Sequence, residues 1–177
     1  IDADDAVNAF VRVTTLADKN FIESHNIVFC TKQGIIKKTS LEQYSRPRAN
    51  GINAITIRED DRVISVALTD GDSDIVLANR KGRAVRFNEN TVRAMGRTAT
   101  GVRGMALDEG DEVVGMVILP KKDEVEHSLL VLSEQGIGKR TLVEEYPTVG
   151  RGCKGVKTMN ISEKTGALVA ILDVNDE

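Results

Sequence analysis

The sequence is poor in aromatic side chains and contains no tryptophan. Only 3% of its 177 residues are Phe, Trp or Tyr. Single-stranded nucleic acid is usually held by stacking its bases on aromatic rings, so this composition argues against a single-stranded partner. The absence of Trp also excludes the propeller class whose repeats carry a tryptophan–aspartate signature.

Long apolar segments and a cysteine framework are also missing. The longest apolar run, residues 113–119, is interrupted by Gly115 and is far shorter than the roughly 20 residues of a membrane-spanning helix. No signal-peptide pattern precedes it. The two cysteines lie in unlike settings, Cys30 in a predicted strand and Cys153 in a loop. A reducing cytoplasm is therefore the expected location.

A segment of about fifty residues occurs three times. Each copy has an apolar run, a hairpin glycine, a basic loop and a second glycine. The hairpin glycines are Gly34, Gly82 and Gly136, and the second glycines are Gly51, Gly101 and Gly155. Successive hairpin glycines are 48 and 54 residues apart. Periods of this length are typical of propellers, solenoids and related arrays.

The pattern of apolar runs and glycines in each repeat predicts four strands, and the predicted fold is therefore all-β and propeller-like. The repeats span about 26–70, 74–120 and 127–175, and short helical turns are predicted after the second strand of each. The pattern of the fourth strand appears once more, at 6–16, and predicts a leading strand left from an unseen earlier repeat. We therefore expect a piece of a longer array, with a small Val, Ile and Leu core in each blade.

Charge is unevenly distributed, although the formal net charge is only −3. Residues 80–107 contain seven basic side chains and one acid, Glu89, whereas acids collect in the turns 59–61 and 108–112. Equivalent positions of a repeat array share one surface, so the basic residues are predicted to form a stripe along one edge. Such a stripe neutralises phosphates even on an acidic protein. The alternative is a set of ordinary solvated loop charges.

The predicted DNA-binding residues are the basic residues of the three loop regions. They are Lys37, Lys38, Arg46, Arg48, Arg83, Arg86, Arg93, Arg97, Arg103, Lys139, Arg140, Arg151, Lys154 and Lys157. Lys38, Arg86 and Arg140 share one repeat position and are all expected on an exposed rim, where charges contribute little to stability. Without a helix for the major groove, their contacts are predicted to be to phosphates, with little base specificity.

The middle repeat carries a family resemblance. Residues 82–97, continuing to 100–104, resemble the C-terminal DNA-wrapping domain of the DNA gyrase A family, and 29–39 and 138–148 look like its neighbouring repeats. The resemblance implies a six-bladed β-pinwheel whose blades exchange strands, with about three four-stranded blades present here. That exchange would account for the leading strand. Duplex DNA would wrap around the basic outer rim and support ATP-dependent negative supercoiling.

The resemblance also implies partners outside this chain. These are the gyrase B protein, together with the rest of the gyrase A protein, in an A2B2 holoenzyme that is cytoplasmic and nucleoid-associated. ATP and Mg²⁺ belong to that holoenzyme, so this piece is expected to hold no cofactor, metal or catalytic residue. The family's short glycine-rich basic box is absent from the sequence.

Other functions remain open at this point. They are the related topoisomerase IV domain, a protein-binding propeller, and a propeller enzyme, which would need carboxylates converging at a central mouth. Residues 150–155 fit the dinucleotide pattern G-x-G-x-x-G, but the strand and helix that this motif requires are not predicted around it. His25 and His127 stand alone, so no metal site is predicted. Tyr44 and Tyr146 occupy equivalent repeat positions, which indicates packing rather than chemistry.

Overall fold

The computed structural model describes residues 6–122 and 125–175, which form three antiparallel sheets. The strands are β1 (Asn26–Thr31), β2 (Ile35–Ser40), β3 (Val63–Thr69), β4 (Ser73–Asn79), β5 (Arg83–Asn88), β6 (Val102–Arg103), β7 (Val113–Pro120), β8 (Ser128–Ser133), β9 (Gly138–Leu142), β10 (Val156–Lys157) and β11 (Leu168–Val174). One short helix, α1 (Lys19–Ser24), precedes them. The prediction of an all-β fold is confirmed.

Each sheet is one blade. Blades 1 and 2 have four strands in the same order, whereas blade 3 has only the first three of them within the residues that the structure describes. Blade 1 is ordered β3-β1-β2-β6, blade 2 is β7-β4-β5-β10, and blade 3 is β11-β8-β9. Single 3₁₀ turns, Leu41–Tyr44, Glu89–Thr91 and Val143–Glu145, follow the second strand of each repeat. These turns lie where the sequence predicts short helical turns.

The central hairpin of each blade is closed by a glycine. Gly34, Gly82 and Gly136 have φ values of +78°, +83° and +75°. An L-residue with a Cβ is disfavoured in this region by roughly 1–2 kcal/mol, because the Cβ approaches the following carbonyl oxygen. The hairpin glycines predicted from the repeat are therefore confirmed.

The third strands of the second and third repeats join the sheet of the preceding repeat. In the first repeat no strand forms between Gly51 and β3, so the predicted third strand is absent there. β6 belongs to the second repeat but pairs with β2 of the first, with Val102 opposite Ile36. β10 belongs to the third repeat and pairs with β5, with Val156 opposite Ala84. Each exchanged strand is only two residues long. The exchange implied by the resemblance is present, but it is carried by the third strand and not by the fourth.

No strand forms in residues 6–16, where the sequence predicts a leading strand. A strand requires the open edge of a neighbour, and this segment lies instead against one face of blade 1. Val11 and Val13 pack there against Ile27, Phe29 and Leu41. The segment thus contributes apolar cover and not a ladder of hydrogen bonds.

The hydrophobic core lies between the blades. One cluster joins Val28 and Ile36 of blade 1 to Ile75 of blade 2. A second joins Val76, the next residue along β4, to Leu129 of blade 3. Successive side chains of a strand point to opposite faces, so one sheet serves two cores. The prediction of a separate core in each blade was wrong for this reason.

The second glycine of each exchanged repeat fits tightly against the preceding blade. A Cβ on Gly101 would lie 2.5 Å from the carbonyl oxygen of Ile36, and one on Gly155 would lie 2.1 Å from that of Ala84. Both glycines also have positive φ, +109° and +74°. No residue with a side chain fits at these positions without moving the backbone of β2 or β5.

We expect Gly101→Ala to destabilise the fold far more than Gly110→Ala. Both glycines have positive φ, so backbone strain of roughly 1–2 kcal/mol is common to the two variants. A Cβ on Gly110 meets open space, whereas one on Gly101 collides with the Ile36 carbonyl and separates β6 from β2. Thermal unfolding followed by circular dichroism measures the difference. Equal losses in the two variants would show that the interblade contact is loose.

Candidate nucleic-acid interface

The inner and outer edges of the blades are set by the fourth and third strands. β7 contacts both β3 and β11 across the blades. The approach is close at Gly115 of β7, where a Cβ would lie 2.8 Å from Cγ2 of Ile171 on β11. β6 and β10 lie at the opposite edges of their sheets. The loops that flank the third strands, and the basic residues in them, therefore lie on the outer edge.

The predicted DNA-binding residues fall into three groups by exposure. The exposed ones are Arg46, Arg48, Arg93, Arg103, Lys139, Arg140, Arg151, Lys154 and Lys157. The partly exposed ones are Arg83, Arg86 and Arg97. Lys37 and Lys38 are buried, so their predicted place on an exposed rim was wrong. They lie on β2, a central strand covered on both faces.

Lys38 and Arg86 support the following blade. Lys38 Nζ donates to the carbonyl oxygen of Glu89 at 2.8 Å, and its ion pair with the Glu89 carboxylate measures 3.6 Å. Arg86 Nη1 donates to the carbonyl oxygen of Val143 at 3.0 Å. Glu89 and Val143 each begin the 3₁₀ turn of the next repeat. This repeat position is therefore structural in both blades, which corrects its prediction as a row of exposed phosphate contacts.

Arg86 also neutralises a buried carboxylate. Its Nε and Nη2 both lie 2.9 Å from Oδ2 of Asp74, which is buried. Asn88 Nδ2 donates to the other oxygen of that carboxylate at 3.0 Å. Loss of Arg86 would leave a buried negative charge without its main partner.

Glu89 is a buried hub that the sequence did not reveal. Its carboxylate accepts from Thr69 Oγ1 at 2.8 Å and from the backbone nitrogens of Gly71 and Ser73 at 3.0 and 2.9 Å. Together with Lys38, these bonds fix the turn between β3 and β4. The one available signal was its place as the single acid in a basic run.

Lys37 lies beneath the outer edge, between two repeats. Its Nζ donates to the carbonyl oxygen of Ala54 at 2.5 Å and to that of Arg97, and it lies 5.3 Å from the centre of the Phe29 ring. Burial, and secondarily the charge of Arg97, lower the pKa of Lys37 to about 8. Within the described residues, no carboxylate forms an ion pair with this amine.

Arg97 and Arg151 form the same contact in successive blades. Arg97 Nη1 donates to the carbonyl oxygen of Asn53 at 3.1 Å, and Arg151 Nη1 donates to that of Arg103 at 3.2 Å. Asn53 and Arg103 both stand two residues after the second glycine of their repeats. The outer edge therefore has an arginine at the same position of both junctions, the one between the first and second repeats and the one between the second and third. Arg151 Nε adds a bond to the Thr91 carbonyl at 2.9 Å.

Four arginines of the outer edge keep their guanidinium groups available. Arg46, Arg48, Arg93 and Arg103 are exposed, and no hydrogen bond or ion pair engages their side chains in the part of the chain that the structure describes. Carbons of the Arg103 side chain lie 3.8 Å from the position of a Cβ on Gly152, beside Arg151. These groups can bind an anion without first breaking a contact within the protein.

The acidic turns are engaged at the hairpins. Asp111 accepts from the backbone nitrogen of Lys81 at 3.2 Å, and Lys32 of blade 1 forms a 3.0 Å ion pair with Glu112 of the second repeat. At the edge, Lys154 donates to Asp108 at 2.5 Å, and this bond lowers the pKa of the Asp108 carboxyl. Asp108, Asp111 and Glu112 of this acidic turn thus have structural partners, and Lys154 is a residue of the basic edge whose charge is offset by one of them.

The structure assigns no binding or catalytic role to the glycine-rich segment 150–155 or to His25. Residues 150–155 lead into the two-residue strand β10, and Gly155 is required for contact with blade 2. His25 Nδ1 bonds the Phe21 carbonyl at 2.8 Å. Among the described residues, no His, Cys, Asp or Glu side chains cluster as a metal site would require. None of the helices in that part of the chain is long and apolar enough to cross a membrane.

We expect Arg86→Ala to destabilise the fold by about 3 kcal/mol, because it removes one partner of a buried ion pair. Arg93→Ala removes the same charge from an exposed site and should change stability by less than about 0.5 kcal/mol. Urea unfolding of both variants gives the comparison. Two indistinguishable unfolding curves would place Arg86 among the ordinary solvated charges.

Lys37 should make stability depend on pH. Its pKa of about 8 in the folded chain lies below the ordinary value of about 10.4, so the unfolded chain binds more protons between these values. Stability from this residue therefore rises with pH in that window, by at most about 1.4 kcal/mol per pH unit.

Comparison with Lys37→Met isolates this contribution. Burial raises the pKa of Cys30. Above the ordinary thiol pKa of about 8.5, Cys30 therefore makes stability fall with pH, which opposes the effect of Lys37. Both chains contain Cys30, so its contribution cancels in the comparison. The stability of the wild type relative to Lys37→Met, measured by urea unfolding at several pH values, should grow from pH 8 to 10. A constant difference would mean that the folded amine keeps its ordinary pKa.

Comparisons with known proteins agree with this architecture. The family described as DNA gyrase C-terminal domain, β-propeller, matches residues 25–70, 73–120 and 127–175. The DNA gyrase A protein of Staphylococcus epidermidis (strain ATCC 12228 / FDA PCI 1200) is 42% identical over 177 residues, which are 100% of this chain and 19% of that protein. The DNA gyrase A protein of Staphylococcus aureus (strain NCTC 8325 / PS 47) is 42% identical over 179 residues, with the same shares.

Solved structures show the same fold. A crystal structure of the C-terminal domain of DNA topoisomerase IV matches with a TM-score of 0.80 and 28% identity, over 90% of this chain and 49% of that one. A structure of the DNA gyrase A C-terminal domain matches with a TM-score of 0.75 and 27% identity, over 90% and 52%. The chain spans about a fifth of the length of its gyrase A relatives. Because the family covers all three repeats, this chain belongs to the DNA gyrase C-terminal domain family of β-propellers.

Proposed function

We propose that this chain binds duplex DNA along its outer basic edge, through phosphates and without base specificity. The observation that carries the proposal is the pair of equivalent contacts Arg97–Asn53 and Arg151–Arg103 on successive blades. Near them lie the exposed and unengaged guanidiniums of Arg93 and Arg103. Two-residue strands and loops supply no element that enters a groove, and backbone contacts alone carry no direct sequence information.

The repeated geometry favours wrapping over binding to a straight duplex. Successive blades of a propeller are rotated relative to each other, so equivalent cations on their outer edges follow an arc. A duplex that contacts all of them must bend, and each added phosphate contact offsets part of the bending energy.

Membership of the family supports a role in a larger assembly. In the intact protein, this segment would wrap DNA for ATP-dependent negative supercoiling by DNA gyrase, a type II topoisomerase. The partners would be the rest of the gyrase A protein, together with gyrase B, in an A2B2 holoenzyme that acts in the cytoplasm at the nucleoid. ATP and Mg²⁺ would bind elsewhere in that holoenzyme. The 42% identity to gyrase A proteins favours gyrase over topoisomerase IV.

The binding edge can be tested with a charge-matched pair of double variants. Arg93→Ala with Arg103→Ala removes two exposed cations of the outer edge, and Arg58→Ala with Lys164→Ala removes two exposed cations elsewhere. We expect the first pair to weaken binding to a random 30-base-pair duplex and to reduce the log–log salt slope by about 0.9 per lost phosphate contact. Fluorescence anisotropy at several salt concentrations measures both quantities.

The control pair should keep the wild-type salt slope. Equal losses in both pairs would refute a localised edge and leave only the overall charge of the protein as the cause. A strong preference of the wild type for one sequence over random duplex of equal length would contradict binding through phosphates.

A further inference from the structure

Lys37 joins the two repeats directly under the arginine edge. Its amine donates to Ala54 in the loop of the first repeat and to the main-chain carbonyl of Arg97 in the loop of the second. The same segment is held by Gln43, whose Oε1 accepts from the Arg97 backbone nitrogen at 3.0 Å. Lys37 therefore fixes the main chain from which the Arg97 side chain extends.

The surroundings of Lys37 contain a second cation and, within the described residues, no acidic partner for it. The groups that face it are the Phe29 ring on β1, the Tyr44 hydroxyl on the first 3₁₀ turn, and the Arg97 guanidinium. The Tyr44 hydroxyl donates to the same Ala54 carbonyl at 2.9 Å. Tyr44 has its pKa raised by burial, so it carries no negative charge near neutral pH. A buried ammonium beside a guanidinium, without a carboxylate, is an arrangement that an external anion would stabilise.

We propose that Lys37 is a positioning residue for phosphate binding by Arg97, and that a phosphate bound at Arg97 keeps a proton on Lys37. This inference rests on the proposed function, because the phosphate is that of duplex DNA. The bound anion offsets the repulsion between the two cations, so the protonated form of Lys37 binds DNA more tightly than the neutral form. DNA binding and proton binding at this residue are then thermodynamically linked.

The direction in which DNA affinity changes with pH follows from the protonation of Lys37 in the chain without DNA. Free Lys37 loses its proton as the pH passes about 8. Bound phosphate raises that pKa, so DNA binding takes up a proton near pH 8. Affinity should therefore fall as the pH rises from 7 to 9.5, by at most tenfold per pH unit for one linked proton.

The experiment compares wild type, Lys37→Met and Lys37→Arg, all in a Cys153→Ser background. Cys153 is an exposed free thiol beside Lys154, and replacing it with serine prevents oxidative cross-linking of two chains during the measurement. Anisotropy with a random 30-base-pair duplex gives the Kd of each chain from pH 7 to 9.5. The wild type should lose affinity severalfold across this range, Lys37→Met should bind weakly at every pH, and Lys37→Arg should bind well at every pH.

A second measurement uses only the Cys153→Ser chain and so does not depend on how the Lys37 variants fold. Calorimetric titration with the duplex at pH 8, in buffers of different ionisation enthalpy, counts the protons taken up on binding, and the expected count is a positive fraction of one. Zero uptake, or parallel pH profiles for wild type and Lys37→Met, would overturn the Lys37 inference alone. Absence of salt-dependent duplex binding at pH 7 in the wild type would overturn the proposed function itself.

Discussion

The close approach of a glycine to the preceding blade is the constraint on which the rest of the structure depends. Gly101 and Gly155 bring the third strand of their repeat against β2 and β5, at distances that leave no room for a side chain. That approach completes the sheet of one repeat with residues of the next. It also sets the loop arginines against the preceding repeat, where Arg97 and Arg151 find their carbonyl partners. The basic edge is thus a result of how the blades are joined.

Positive charge serves two purposes that the structure separates. Arg86 and Lys38 are bonded to carbonyl oxygens and to the buried carboxylates of Asp74 and Glu89, so they hold blades together and have little capacity left for an external anion. Arg93 and Arg103 are exposed and form no such bonds among the described residues. Removing one of the buried cations lowers the free energy of unfolding strongly, whereas the exposed ones contribute little to it. The two sets could therefore change independently during evolution.

The sequence predicts those features that depend on local chemistry. The hairpin glycines were found because a tight turn between strands requires positive φ, and the repeat showed the same glycine three times. The outer basic edge was found because equivalent positions of an array share a surface. These inferences needed no knowledge of which strands are neighbours.

The features that were missed depend on strand neighbours. The sequence predicts Lys37 and Lys38 as exposed cations at the edge of a loop. In the structure β2 has a partner strand on each side and is covered on each face, so both side chains are buried. The missing leading strand has the same origin, because apolar alternation does not reveal whether an open edge is within reach. Glu89 could be seen as an isolated acid, yet its role requires the turn between β3 and β4 to fold back onto it.

The exchange of the third strand also has a consequence for synthesis on the ribosome. Ile36 leaves the exit tunnel 66 residues before Val102, the residue that pairs with it. Until then, β2 is an unprotected sheet edge, and its two lysines lack the carbonyls of Glu89 and Arg97 that later receive them. The sheets of blades 1 and 2 therefore cannot be completed until the third strand of the following repeat has been synthesised. A pause in translation within the second repeat would prolong the time for which that edge is open to pairing with a neighbouring nascent chain.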